Sequence, residues 1–111
     1  MIDEQEFKKH ADHAMHDVST TLSQAAETDD YEVDFNNGNV VIEFENPPAK
    51  FVVSPQTATR QIWVSAHSKS FKLDWDSEQN TFVIKETGQT LLSLLRQAIA
   101  KQLKNEGDVS F

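Results

Sequence analysis

The chain has 111 residues, of which 18 are acidic and 10 basic, giving a formal net charge of −8, and it contains no cysteine. This length predicts a single domain over residues 1–111, large enough to bury a hydrophobic core. The lack of cysteine excludes disulfide bonds and thiolate chemistry. The negative charge argues against nucleic acid as a partner, because its phosphates would be repelled.

The negative charge is concentrated in the first third of the chain. Residues 1–34 contain ten acidic and two basic residues, whereas residues 35–111 contain eight of each. A one-sided excess of this kind attracts cations or basic partner surfaces. The first residues contain no apolar signal segment, and no run approaches the length of a membrane span. We therefore expect a soluble, cytoplasmic protein that has no membrane partner.

Residues 3–27 are predicted to form an amphipathic helix. Asp3, Glu4 and Glu6 lie near its start, where negative charge is favourable to the helix dipole. The apolar positions recur at the three-and-four spacing of a single helix face. These positions are Phe7, Ala11, Ala14, Met15, Val18, Leu22 and Ala25.

After residue 30 the apolar residues alternate with polar ones, which is typical of half-buried strands. Glycine, proline and asparagine mark the turns between them, as in Asn-Asn-Gly at 36–38 and Asn-Pro-Pro at 46–48. The predicted strands are 31–36, 39–46, 50–54, 60–66, 70–75 and 80–85.

A second helix is predicted to begin near Thr90, a suitable N-cap residue, after a break at Gly88. Its apolar stripe consists of Leu91, Leu94, Leu95, Ala98, Ile99 and Leu103. The order helix, six short strands, helix predicts an α+β fold. We expect a two-layer sandwich with two helices packed on one face of an antiparallel sheet of about six strands. The other face of the sheet then meets solvent.

One flank of the first helix collects acidic and histidine side chains on a helical wheel of about 100° per residue. This flank contains Asp3, Glu6, His10, His13 and Asp17. Glu6 and His10 are four residues apart, as are His13 and Asp17, so each pair is expected to be in contact. Asp12 and His16 form a smaller pair on the opposite flank.

Carboxylate and imidazole side chains are suitable ligands for iron and other divalent ions. His10, His13 and His16 fan over about 120°, so at most two of them can bind the same ion. An open convex helix face does not enclose an ion, which predicts a weak site. The simpler alternative is a solvated helix face with local ion pairs.

The sequence contains no phosphate-binding glycine loop, no H-E-x-x-H motif and no G-x-S-x-G motif. His67 lies in a predicted connection between strands and is expected to be an exposed loop residue. We therefore expect a binding protein rather than an enzyme.

Trp63 is the largest side chain in the predicted strand 60–66. Ile62 and Val64 are assigned to the core, so alternation directs Trp63 and Gln61 to the open face of the sheet. An exposed aromatic residue among polar ones is typical of an interaction hot spot, although Trp63 could simply shield the sheet. Other polar residues expected near it are Gln56, Arg60 and Lys72.

Several segments resemble the frataxin family, in particular its bacterial CyaY-type members. The most specific is VVSPQTATRQIWVSAHSKSFKLDW at 52–75, which contains a Gln-x-Trp motif at 61–63 and an Asp-Trp motif at 74–75. Supporting matches are EFKKHAD at 6–12, NNGNVVIEFEN at 36–46 and GQTLLSLLRQAIAKQL at 88–103. The resemblance covers nearly the full chain and keeps the same order of elements.

This resemblance implies an iron-binding accessory protein of iron–sulfur cluster assembly, acting as an iron donor, as a regulator of the cysteine desulfurase, or both. Ferrous or ferric iron would bind weakly on an acidic ridge of the first helix and first strand. The implied partners are the desulfurase and the cluster scaffold protein, the latter at the Trp63 face, and we expect a monomer without metal. The ridge positions carried over are Asp3, Glu6, Asp12, Asp17, Glu27, Asp29, Asp30, Glu32 and Asp34.

The middle of the first helix departs from the family pattern, because polar residues replace the acids that relatives commonly carry there. They are Ser19, Thr20, Ser23 and Gln24. We therefore predict that ions such as cobalt or zinc bind at the histidine pairs. An alternative is a protein-interaction regulator whose metal binding is incidental. Ferroxidase activity is disfavoured, because the ridge has fewer carboxylates to hold iron close to a redox partner.

Overall fold

The structure is a computed structural model, and it describes residues 2–28, 31–36, 38–45 and 48–103. Two helices flank six strands, as the sequence predicts. In chain order the elements are α1 (Glu4–Ala25), β1 (Glu32–Asn36), β2 (Asn39–Glu45), β3 (Pro48–Gln56), a 3-10 turn (Thr57–Thr59), β4 (Gln61–Ala66), β5 (Lys69–Asp76), β6 (Thr81–Val83) and α2 (Leu91–Leu103).

The six strands form one antiparallel sheet in which each strand pairs with the next along the chain. Short connections permit this order, because antiparallel neighbours can be joined by tight turns. At the β1–β2 turn, Gly38 has a φ of 81°, a conformation that glycine adopts without a steric penalty. β1 and β6 are therefore the two edges of the sheet.

Both helices cover the same face of this sheet. The apolar stripe predicted for α1 is buried except at Ala14, which is partly buried, and the stripe of α2 packs into the same core. Phe7 on α1 meets Phe82 on β6 edge to face, at a ring-centroid distance of 5.9 Å. Burying these stripes supplies the main stabilisation of the fold. The predicted two-layer α+β sandwich is confirmed.

The helix N-termini are capped as their sequences suggest. Asp3 accepts a hydrogen bond from the Glu6 backbone N–H at 2.8 Å, and Thr90 Oγ1 accepts one from the Ser93 N–H at 3.2 Å. Each bond satisfies a donor that the first helical turn leaves without a partner. Within the described part of the chain, neither helix has the length and apolar character of a membrane span.

β3 is longer than the predicted strand 50–54, since it begins at Pro48 and continues to Gln56. Pro55 was expected in a connecting segment but lies opposite Ile62 of β4. Beyond Val53, β3 pairs with β4 and no longer with β2. The missing N–H of Pro55 is tolerated where one side of the strand is open.

His67 is not the exposed loop residue that the sequence suggests. His67 and Ser68 form a two-residue turn between β4 and β5, with φ values of 52° and 62°, which is the geometry of a type I′ hairpin turn. This turn directs the half-buried imidazole toward α2, with Nε2 3.1 Å from the Ala98 carbonyl oxygen. The ring also meets Phe51 at a centroid distance of 5.0 Å.

Candidate functional site

The predicted metal-binding residues on the first helix lie at its start and along one flank. Asp3 is the N-cap, so its carboxylate is already engaged by the Glu6 backbone N–H. The side chain of Glu6 is exposed. Asp12 and His16 are exposed on the opposite flank, and Glu27 is exposed in the turn that follows α1.

His13 and Asp17 form the contact predicted from their spacing. His13 Nε2 lies 3.6 Å from Asp17 Oδ2, and the two side chains are 78% and 58% exposed. Both groups are therefore accessible to a hydrated ion. A nitrogen and an oxygen ligand so placed can bind a divalent ion such as cobalt or zinc.

The wheel predicts a contact between His10 and Glu6, but the structure places the His10 ring against Trp75. The imidazole stacks on the indole of Trp75, with centroids 3.8 Å apart and planes 11° from parallel. Trp75 in turn meets Phe82 at 5.2 Å. The packing of α1 across β5 brings His10 against this tryptophan and leaves the imidazole half-buried.

This flank of α1 borders a cleft of about 350 Å³. His10, His13 and Asp17 form one wall together with Lys9, and residues of β5, β6 and their connection form the other. The cleft lies at the β6 side of the sheet. Lys9 also lines this cleft, and its positive charge offsets part of the negative charge of Asp17.

The acidic residues of β1 lie at the other edge of the sheet. Glu32 and Asp34 are exposed, and they alternate with Val33, which packs against the core. They project from the side of the sheet opposite the helices. Asp29 and Asp30, also predicted for the ridge, lie outside the described residues.

The described residues contain no group of three or more histidine, aspartate and glutamate side chains close enough to bind one metal ion. The predicted ligands are spread between the histidine flank near β6 and the acids of β1. An ion at either place would be held by one or two side chains and by water. Such coordination is weak and exchanges readily.

The open face of the sheet has Trp63 near its centre, as alternation predicts. Ile62 and Val64 are buried on the helix side, whereas Trp63 is half-buried on the other. Trp63 Nε1 donates a hydrogen bond to Gln61 Oε1 at 3.0 Å. The Lys72 Nζ lies 5.0 Å from the centroid of the indole, which is cation–π geometry.

The other residues predicted for this face are arranged around Trp63. Gln56 donates to Ser54 Oγ at 3.1 Å, and Ser54 is the β3 neighbour of Trp63. Gln61 donates from Nε2 to Asp74 Oδ1 at 3.2 Å. In the sequence, Asp74 is recognisable only as part of the Asp-Trp motif. The strand register, which pairs it with Gln61, shows its place on this face.

Arg60 is near the face but points away from Trp63. Its backbone has a φ of 56°, and its Nη1 donates to the Thr57 carbonyl oxygen at 2.7 Å. The side chain therefore folds back on the 3-10 turn. There it lines a cavity of about 420 Å³, which Asp74 and Asp76 also line. Gln56, Gln61, Trp63 and Lys72 thus form one surface, and Arg60 lies at its border.

Comparison with known proteins gives a match over most of the chain. The model of the frataxin-like domain family matches residues 1–105. The iron-sulfur cluster assembly protein CyaY of Herminiimonas arsenicoxydans is 31% identical over 101 residues, which cover 89% of this chain and 88% of that protein. The protein of the same name from Azotobacter vinelandii is 28% identical over 92 residues, covering 81% and 83% of the two chains.

A solved structure has the same fold. Frataxin from Psychromonas ingrahamii superposes with a TM-score of 0.79 and covers 93% of each chain, at 23% sequence identity. At this level of identity the match concerns the fold. It agrees with the two helices and six-stranded antiparallel sheet described above.

Proposed function

Because the chain belongs to the frataxin family, we propose that it is an iron-binding accessory protein of iron–sulfur cluster assembly. In this role it donates iron, regulates the cysteine desulfurase, or does both. The observation that carries the proposal is the family match over residues 1–105. It is supported by relatives of similar length that are named iron-sulfur cluster assembly proteins.

Iron is cargo in this proposal. Its ligands are exposed carboxylates and imidazoles, above all the His13–Asp17 pair and the acids of β1. Weak, solvent-exposed coordination suits a protein that passes its ion on, because a tightly enclosed ion is released slowly. The cysteine-free chain is compatible with the reducing cytoplasm, where we propose that it acts as a monomer until metal binds.

The two proposed protein partners use different parts of the surface, because the β1 acids lie on an edge strand whereas Trp63 lies on the internal strand β4. The acidic residues of the first third favour a basic patch on the desulfurase. The open sheet face, with Trp63 at its centre, is the proposed docking surface for the cluster scaffold protein. A partly buried tryptophan among polar side chains combines a large contact area with a hydrogen-bonding edge, which is typical of interface hot spots.

The substitution Trp63→Ala tests the docking surface. We expect it to weaken scaffold affinity by about thirtyfold or more, since truncation of a hot-spot residue costs about 2 kcal/mol or more. The melting temperature should change little, because the side chain lies outside the core. The measurements are a calorimetric titration with purified scaffold and a thermal unfolding curve.

Ser65→Ala is the matched control for this substitution. Ser65 is exposed on the same strand and the same face, so its loss should leave scaffold affinity within about twofold of wild type. Unchanged affinity in Trp63→Ala would contradict the docking role. Global unfolding of that variant would contradict the assignment of Trp63 to the open face.

A second candidate is a protein-interaction regulator whose metal binding is incidental. It is favoured by the lack of a three-ligand metal group among the described residues. Parallel titrations with ferrous iron and with the desulfurase distinguish the two functions. Strong partner affinity that does not change when iron is added would support the second candidate.

We propose a non-catalytic role for the chain, and ferroxidase activity is the enzymatic alternative. That reaction needs iron held close to an electron acceptor, and the dispersed ligands described above give little support for such a site. Oxygen consumption by ferrous iron, measured with and without the protein, tests this alternative. Faster consumption with the protein would support ferroxidase activity.

A further inference from the structure

Three side chains on the open face form a continuous hydrogen-bonded chain. Trp63 Nε1 donates to Gln61 Oε1 at 3.0 Å, and Gln61 Nε2 donates to Asp74 Oδ1 at 3.2 Å. Gln61 and Trp63 are two residues apart on β4, so both project to the same side. Asp74 lies directly opposite Gln61 on β5. The sheet register thus brings the three groups together.

The direction in which these hydrogen bonds are donated is fixed by the chemistry of Asp74 and Trp63. The ionised carboxylate of Asp74 can only accept hydrogen bonds, and the indole N–H of Trp63 can only donate one. The amide of Gln61 must therefore turn its nitrogen to Asp74 and its oxygen to Trp63. If the Gln61 amide were reversed, its oxygen would face the Asp74 carboxylate, which is also an acceptor. Its nitrogen would then face the Trp63 N–H, which is also a donor. Asp74 thereby selects the amide orientation that binds the indole.

The opposite strand restrains the same indole through its ring. Lys72 is the β5 neighbour of Trp63, and its Nζ lies 5.0 Å from the ring centroid. A cation over the ring is attracted to its negative face. Trp63 is thus held at its polar edge by Gln61 and at its ring by Lys72.

We propose that Asp74 is a positioning residue for docking: through Gln61 it fixes the orientation of Trp63 before a partner binds. This inference rests on the proposed docking role of the Trp63 face. A side chain that is already ordered loses less conformational freedom on binding than one that must be immobilised. Asp74 therefore raises affinity without needing to touch the partner.

The first test observes the indole without any partner. The chain contains two tryptophans, so a protein labelled with ¹⁵N at the indole gives two N–H signals, which Trp63→Phe assigns. In Asp74→Leu the Trp63 signal should shift and its hydrogen exchange should accelerate, because the amide is no longer oriented. In Asp74→Asn both should stay near wild type, since the Trp63 N–H keeps the Gln61 oxygen in place and the Asn oxygen can accept from the Gln61 nitrogen.

The second test measures affinity for the purified scaffold protein by calorimetric titration. Loss of the ordering in Asp74→Leu should weaken binding by about threefold to tenfold, the cost of immobilising one side chain. Asp74→Asn should bind within about twofold of wild type. Gln61→Leu removes the middle one of the three hydrogen-bonded side chains. It is the variant to measure if Asp74→Leu is poorly folded. In a Trp63→Ala background, Asp74→Leu should have no further effect.

Each of the other results overturns the proposal in a distinct way. An unchanged Trp63 indole signal in Asp74→Leu would show that Asp74 does not orient the ring. Equal weakening by Asp74→Asn and Asp74→Leu would show that the charge of Asp74 matters, and not its hydrogen bond. Full affinity in Trp63→Ala would contradict the docking role of the face itself, and with it the purpose assigned to Asp74.

Discussion

Trp63 and Trp75 lie on neighbouring strands but on opposite faces of the sheet, and their surroundings differ accordingly. Trp75 is on the helix side, where it contacts Phe82 and stacks on His10 of α1. Trp63 is on the open side among polar residues. At this scale, alternation along each strand decides whether a tryptophan packs in the core or is presented to a partner.

Replacing both His10 and His13 by alanine tests the metal site at residue scale. We expect the double variant to lose the cobalt-induced NMR shifts of the α1 flank, because it removes both nitrogen ligands there. Within this pair His13 should contribute more, since it is exposed and lies beside Asp17, whereas His10 is stacked on Trp75. Loss of that stack should also lower the free energy of unfolding by about 0.5–1.5 kcal/mol.

His16→Ala is the matched control for the metal titration. His16 is exposed on the opposite flank of the same helix, so this variant should keep the cobalt shifts near His13. Cobalt shifts that persist in the double variant would show that the imidazoles of this flank are not the ligands.

At the scale of elements, the connections between strands determine where polar groups go. The β4–β5 turn brings His67 under α2, although its neighbours suggest an exposed loop. The β5–β6 connection is organised by Asp76, which accepts hydrogen bonds from the backbone N–H groups of Glu78 at 2.9 Å and Gln79 at 3.3 Å. A single carboxylate thereby closes this turn.

Asp76 makes the stability of the domain depend on pH in a defined direction. The backbone N–H of Glu78 and then that of Gln79 lower the pKa of Asp76 below its ordinary value. A group whose pKa is lower in the folded state stabilises the fold above its unfolded pKa of about 3.9, and this contribution is lost as pH falls through the folded pKa. Asp76→Ala should therefore be less stable than wild type at pH 7, and the difference should shrink below about pH 4.

Urea unfolding at several pH values measures this difference. Glu78→Ala is the matched control, because it keeps the backbone N–H that Asp76 accepts from. It should show a smaller effect with no comparable loss at low pH. A difference between wild type and Asp76→Ala that stays constant from pH 7 to about pH 3 would contradict the assignment.

At the scale of the whole molecule, the charge is directional. The acids of residues 1–34 that the structure describes lie at the N-cap of α1, along α1, in the turn after it and on β1, and all of them are exposed. Around Trp63 the open face instead combines uncharged amides with the opposite charges of Lys72 and Asp74. The two surfaces should therefore respond differently to ionic strength.

Affinity measurements at low and high salt test this difference between the two surfaces. Affinity for the desulfurase should fall sharply between low and high salt, because the screening length shortens from about 30 Å at 0.01 M to about 8 Å at physiological ionic strength. Affinity for the scaffold should change less, since a buried aromatic contact is not screened. Desulfurase binding that is independent of salt would argue against docking through the acids.

Much of the fold follows from local patterns. The three-and-four spacing in α1 and α2 predicts their buried faces, and alternation predicts that Trp63 faces outward. Phe35 shows where such patterns stop, because it alternates in phase with Val33 yet is 50% exposed. It lies on an edge strand, where coverage depends on how far the helices reach. Periodicity does not contain that information.

The sequence by itself determined the order of the elements, the outward orientation of Trp63, the His13–Asp17 contact and the placement of the negative charge in the first third. These properties depend on spacings of two to four residues, which strand and helix geometry fix. Only the tertiary structure decided that His10 stacks on Trp75, that the histidine flank and the acids of β1 lie at opposite edges of the sheet, and that Asp74 orients Trp63 through Gln61. These contacts join residues far apart in the chain, so they depend on the strand register and on how α1 crosses the sheet.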